Sequence, residues 1–157
     1  GGPMMHTIAA KAIAFQEALQ PSFIQYQQQV VANARAMVEA FKHAGFHMVS
    51  GQTENHQFSI DLSRNTDLTG QQVEQVLEHV GIIVNKNAVP GDQRSPRVTS
   101  GIRIGTPAVT TRGMKEDAVC ILADLMVQTI ENIEQESVLN QVKKAVLDLA
   151  HTYPCID

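Results

Sequence analysis

Tryptophan is absent, and aromatic residues make up only 4% of the 157 residues. Positive charge is also scarce: 12 Lys and Arg stand against 16 Asp and Glu, for a net charge of −4 and a pI near 5.8. A mildly acidic, aromatic-poor chain lacks the basic face that a nucleic-acid footprint requires, so no nucleic-acid partner is expected. No apolar run approaches the roughly 18–20 residues of a membrane span, and no membrane partner is expected. Cysteine is limited to Cys120 and Cys155, too few and too widely spaced for a disulfide framework or a zinc site. No charged-then-apolar leader opens the chain, so the expected setting is reducing and cytoplasmic. The opening Gly1-Gly2-Pro3, followed at once by an apolar helical pattern, reads as the interior of a fold. The expectation is therefore a fragment.

What is present is an ordinary soluble composition, 43% hydrophobic and 18% charged, long enough to bury a core. Met5, Ile8, Ala12, Phe15 and Leu19 recur at helical spacing up to Pro21. A second helical run carries Phe23, Tyr26, Val30, Ala34, Met37 and Phe41, with Gly45 as its C-terminal stop. Gln25, Gln27, Gln28, Gln29, Asn33 and Arg35 form its expected solvated face. The period then shortens to two. Phe58, Ile60 and Leu62 alternate with polar residues as a half-buried strand, and Phe46 and Met48 suggest a shorter partner. Thr69 and Gln72 make a capping box for a helix with Val73, Val76, Leu77 and Val80, ended by Gly81. Ile82-Ile83-Val84 reads as a short buried strand, and residues 85–100 as an aperiodic loop.

Ile102 and Ile104 share one strand face and leave Arg103 on the other. Two helices follow, one after Gly113 and one from Ser137, closed by Pro154. This order predicts an α+β domain, a small mostly antiparallel sheet covered by helices on one face.

The strongest constellation is Thr99-Ser100-Gly101-Ile102-Arg103-Ile104-Gly105-Thr106-Pro107. Glycines on both sides of a short strand permit close approach of backbone or ligand. A guanidinium held on a strand can grip a carboxylate with two parallel hydrogen bonds. A surface or interdomain ion pair is the competing reading of Arg103. Asn87 offers both donor and acceptor for a ring edge, or serves turn formation beside Pro90. Gly1 and Gly2 precede a helix start, where free amides favour an anion, or mark a plain Gly-Pro helix entry.

The histidines carry less. His43 and His47 are separated by Gly45, which breaks the helix between them, so no metal site is expected. His56 reads as a structural hydrogen-bonder and His6 as a capping or packing group. The methionines read as core or interface packing, and Cys120 as an inert buried thiol.

Five segments in order resemble serine hydroxymethyltransferase: Gly1 to His6, Tyr26 to Val30, Thr53 to His56, Val84 to Pro90 and Thr99 to Pro107. The resemblance runs along the chain but covers only the C-terminal part of that family. It implies a fold-type-I transferase dependent on pyridoxal 5'-phosphate, interconverting serine plus tetrahydrofolate with glycine plus 5,10-methylenetetrahydrofolate, and assembled as a homo-oligomer. It implies three parts: residues 1–21 from the end of the large domain, residues 22–44 as a long linking helix, and residues 45–157 as the small domain.

By the same resemblance, Arg103 binds the substrate carboxylate, Gly1 and Gly2 approach the cofactor phosphate of a neighbouring subunit, and Asn87, Ser95, Pro96 and Arg97 contact folate. Arg97 stands where the family usually has Phe, which leaves the loop in place but puts aromatic stacking on folate in question. The family's cofactor lysine lies in a T-T-T-H-K-T stretch that does not occur here. No catalytic residue is therefore assigned to this chain, and the chain alone is expected to be inactive. The alternative is a free-standing amino-acid-binding or dimerisation module, distinguished by having no need of a folate loop.

Overall fold

The computed structural model describes residues 2–155. Among them lie α1 (Met5–Ala18), α2 (Pro21–His43), β1 (His47–Met48), β2 (Gln57–Asp61), α3 (Gly70–His79), β3 (Asn85–Asn87), β4 (Gly101–Gly105), α4 (Pro107–Thr111), α5 (Glu116–Glu131) and α6 (Glu136–Thr152). The strands form one sheet in the order β1-β2-β4-β3, every neighbour antiparallel. The architecture is the expected α+β layer.

The sheet's apolar face carries Met48, Phe58, Ile60, Ile102 and Ile104, all buried. They join one core with Met37 and Phe41 of α2, Val73 and Leu77 of α3, Val119 and Met126 of α5, and Val142 of α6. Phe41 meets Phe46 edge-on, with ring centroids 5.8 Å apart. Burial of an apolar side chain of this size contributes roughly 1.5–3 kcal/mol, so this face of the sheet holds the unit together.

Local signals set the boundaries. Pro21 opens α2, where its missing N–H costs nothing. Gly45, at φ 86°, turns the chain out of α2 while the Phe46 amide reaches back to the Phe41 carbonyl at 2.9 Å. The Thr69 hydroxyl accepts from the Gln72 amide at 3.1 Å, and the Gln72 side chain accepts from the Thr69 amide at 2.9 Å. The capping box is complete.

Three expectations are corrected. Residues 82–84 form no strand; the ladder begins at Asn85. The Ile82 amide bonds back to the Leu77 carbonyl, so this stretch turns out of α3: Ile82 is buried while Ile83 is 77% exposed. The edge strand is instead the polar Asn-Lys-Asn, a composition that discourages edge-to-edge pairing. Asn33 is not on a solvated face. It is fully buried, and its amide donates to the Thr110 hydroxyl and the Met114 carbonyl, both at 2.9 Å. A buried amide is retained only where its hydrogen bonds are made, and here they tie α2 to α4 and the turn beyond it. Cys120 is only half-buried; burial pushes its thiol pKa up, and Asp124, Asp117 and Glu116 add to the shift.

Helix α1 contributes no buried residue. Met5 is 74% exposed, Phe15 68% and Leu19 78%, so its apolar stripe takes no part in the core just described.

Candidate functional site

Arg103 sits in the third position of the five-residue β4, between buried Ile102 and Ile104, and is itself exposed on the opposite face. Strand alternation produces this arrangement: two isoleucines anchor the strand from below and hold the arginine above it. Across the ladders, Arg103 pairs with Ser59 of β2 on one side and Asn85 of β3 on the other. Its neighbours along the strand on the same face are Gly101 and Gly105, so no side chain crowds it from its own strand. Among the described residues Arg103 enters no ion pair. This disfavours the reading of Arg103 as a salt-bridge residue within the chain.

Asn87 belongs to the same face. Asn85 is opposite Arg103 and Asn87 opposite Gly101, so Asn87 lies diagonal to Arg103 across one ladder, a separation of about 7–8 Å in such pairs. Its side-chain amide donates to the Ala88 carbonyl at 2.8 Å, which leaves its carbonyl oxygen free of a protein donor among the described residues. Lys86, between the two asparagines, is turned to the other side. Its ammonium pairs with Glu74 of α3 at 2.8 Å, and its amide donates to the same carboxylate at 2.9 Å. The Lys86 side-chain bond is the main cause holding the Glu74 pKa below the ordinary carboxylate range.

Ser95, Pro96 and Arg97 occupy an exposed turn in the connection from β3 to β4. The Ser95 carbonyl accepts from the amides of Val98 at 3.0 Å and Thr99 at 2.9 Å. The loop is pinned elsewhere too. Arg94 donates to the carbonyls of Leu68 at 2.7 Å and Asp67 at 3.1 Å, just before α3. The first amides of α3, at Gly70 and Gln71, donate to the carbonyls of Thr99 and Val98.

Glycine is required at two of these positions. A side chain on Gly70 would overlap the Thr99 hydroxyl and the Gly101 carbonyl, and Thr99 itself holds a left-handed φ of 57°. At Gly101 a Cβ would come within 2.5 Å of the Ile60 carbonyl and 2.6 Å of Val89. The glycine before Arg103 therefore serves approach of backbone, not of a ligand.

The T-E-N-H turn closes the other end of the sheet. The Thr53 hydroxyl donates to the Gln57 carbonyl at 2.6 Å, and the His56 carbonyl accepts from the Thr106 amide at 2.9 Å. His56 works here through its backbone, and its ring is exposed. His43 ends α2 while His47 starts β1, so they belong to different elements.

Gly1 lies outside the described residues. Gly2 is exposed, with nothing within 4 Å of where a side chain would stand. Lys11, Lys42, Lys115, Lys143 and Lys144 are all exposed, and Lys86 is committed to Glu74.

Sequence reasoning missed Asp92, Asn33 and Gly70. An Asp between the turn residues Gly91 and Ser95 is the one local signal that could have marked Asp92; the other two are set by contacts distant in sequence.

The arrangement is an α+β module offering a strand-mounted cation, beside an asparagine and a pinned loop, to an anionic group. Comparison with known proteins gives this module a family. The family model described as serine hydroxymethyltransferase matches residues 1–126. The chain is 53% identical over 150 residues to the serine hydroxymethyltransferase of Aster yellows witches'-broom phytoplasma (strain AYWB), covering 95% of this chain and 35% of that protein. It is 52% identical over 150 residues to the serine hydroxymethyltransferase of Onion yellows phytoplasma (strain OY-M), covering 95% of this chain and 36% of that protein. The chain belongs to the serine hydroxymethyltransferase family. It spans about a third of the length of these relatives.

Proposed function

We propose that this chain is the C-terminal, substrate-positioning part of a serine hydroxymethyltransferase, a transferase of one-carbon metabolism that interconverts serine plus tetrahydrofolate with glycine plus 5,10-methylenetetrahydrofolate. The observation that carries this is Arg103, exposed on the polar sheet face without an ion-pair partner among the described residues. It lies in a family-matched segment.

In this reading Arg103 takes the carboxylate of serine or glycine through its planar fork, which fixes the direction of the substrate's Cα as well as its charge. Asn87 presents its amide edge to folate, and the turn at Ser95, Pro96 and Arg97 forms one wall of the folate site. Arg97 offers a planar cation where an aromatic ring is usual in the family, so stacking there is by guanidinium. Pyridoxal phosphate, bound in the complete protein, supplies the electron sink for the bond changes at Cα. Gly1 and Gly2 approach its phosphate across a subunit boundary in a cytoplasmic homodimer or larger homo-oligomer. Residues 1–21, 22–44 and 45–157 are the end of the large domain, the linking helix and the small domain.

Family membership favours this reading over a free-standing binding module. The test is a pair of assays. The protein of full family length, loaded with cofactor, is expected to convert serine to glycine only with tetrahydrofolate supplied. The isolated chain is expected to show no turnover and no saturable, borohydride-trappable lysine adduct with pyridoxal phosphate. Full turnover by the isolated chain would overturn the proposal.

A further inference from the structure

The connection from β3 to β4 runs through residues 88–100, a long span for neighbouring antiparallel strands, which two to five residues commonly join. It leaves the strand of Asn87 and returns to the strand of Arg103. Such a span needs an internal fastening to hold its two ends in fixed relation. Asp92 provides it. One carboxylate oxygen accepts from the Arg94 amide at 2.9 Å and the Ser100 hydroxyl at 2.6 Å. The other accepts from the Ser100 amide at 2.8 Å and the Val89 amide at 3.3 Å. Val89 follows Asn87 by two positions, and Ser100 immediately precedes β4. The carboxylate therefore bridges the exit of one strand and the entrance of the other, with the Ser95–Pro96–Arg97 turn between them.

We infer that Asp92 is a positioning residue for the folate-side wall: its carboxylate sets the Ser95–Arg97 turn and the base of β3 relative to β4. This rests on the reading of the loop as a folate wall given above. Four donors converge on two oxygens that only accept when ionised. The Asp92 pKa is accordingly drawn down to about 2, the Ser100 hydroxyl being the largest cause. Asparagine cannot replace it, because its NH2 would face two donors at one of the oxygens. Arg94 adds a second tie, to the carbonyls before α3, and does not substitute for the first because it does not link Val89 to Ser100.

The experiment uses the full-length, cofactor-loaded protein and compares Asp92→Asn, Ser100→Ala and wild type. Limited trypsin digestion reads the loop directly, because Arg94 and Arg97 lie within it. Asp92→Asn is expected to speed cleavage after these two arginines by about tenfold, the equivalent of losing about one charge-assisted hydrogen bond, with cleavage elsewhere unchanged. Ser100→Ala, which keeps the backbone bonds, should show a smaller increase.

Kinetics give the second readout. KM for tetrahydrofolate should rise in the same order, while KM for serine and kcat stay within about twofold, inside ordinary surface-mutation scatter. Unchanged cleavage and unchanged folate KM in a folded Asp92→Asn protein would overturn the inference. Faster cleavage with an unmoved folate KM would overturn the folate-wall reading instead, and leave Asp92 as a loop fastener alone. Should Asp92→Asn fail to fold, Ser100→Ala decides by the same two measurements.

Discussion

Arg103 on β4 stands directly opposite Asn85 on β3, with its guanidinium on the sheet face that the hydrophobic core leaves free. One ladder thus joins the strand that offers the cation to the strand that ends in Asn87. The rigidity of that pairing comes from below. Ile102 is fully buried between the flanking strands, opposite Ile60 and Lys86.

Close backbone packing at the start of β4 is predicted to make Gly101 intolerant. Gly101→Ala would drive a Cβ toward the Ile60 carbonyl and force the ladder apart, costing about 1–3 kcal/mol, as overpacked sites do. Gly105→Ala, whose nearest neighbour is the His56 carbonyl at 3.6 Å, should cost about 0.5 kcal/mol or less. Urea unfolding of both variants checks the contrast.

Acid should loosen the β3–β4 loop within a defined window. Asp92 has its pKa lowered from 3.8 to about 2, so the folded state favours its ionised form. That contribution is fully present above about pH 4 and disappears as pH falls through 2. Glu74, lowered by Lys86, shifts with the same sign. Amide exchange at Val89, Arg94 and Ser100 should therefore accelerate across this window, beyond the intrinsic pH dependence. In Asp92→Asn the extra acceleration should be absent.

The stripe on α1 predicts association. Met5, Ile8, Phe15 and Leu19 remain exposed, and burying each would contribute roughly 1.5–3 kcal/mol. The isolated chain is expected to self-associate through residues 1–20. Light scattering over a concentration series should show growth in mean mass, abolished by Met5→Ser, Ile8→Ser and Phe15→Ser together. A monomer at all concentrations would contradict this.

Much of this was legible in the sequence, because the signals were local. The period-two pattern at Phe58 and Ile60 gave β2, the Thr69–Gln72 box gave the start of α3, and the Ile102-Arg103-Ile104 triplet placed the arginine opposite the core. What stayed hidden depended on distant partners. Asn33 looks like one more polar helix residue until Thr110 and Met114 close over it. The apolar 82–84 run mimics a strand, yet the turn out of α3 spends it before the ladder begins. Asp92 reads as a loop residue, and only the return of Ser100 to its side reveals the fastening.

Equilibrium binding of serine to the full-length, cofactor-loaded protein carrying Arg103→Ala or Arg103→Lys measures whether Arg103 anchors the substrate carboxylate. Loss of a bidentate charge-assisted contact of about 1.5–3 kcal/mol predicts that Arg103→Ala weakens serine binding by about tenfold to a hundredfold or more. Arg103→Lys should recover only part, since an ammonium lacks the planar fork. Serine affinity unchanged in a folded Arg103→Ala protein would mean that Arg103 does not hold the carboxylate.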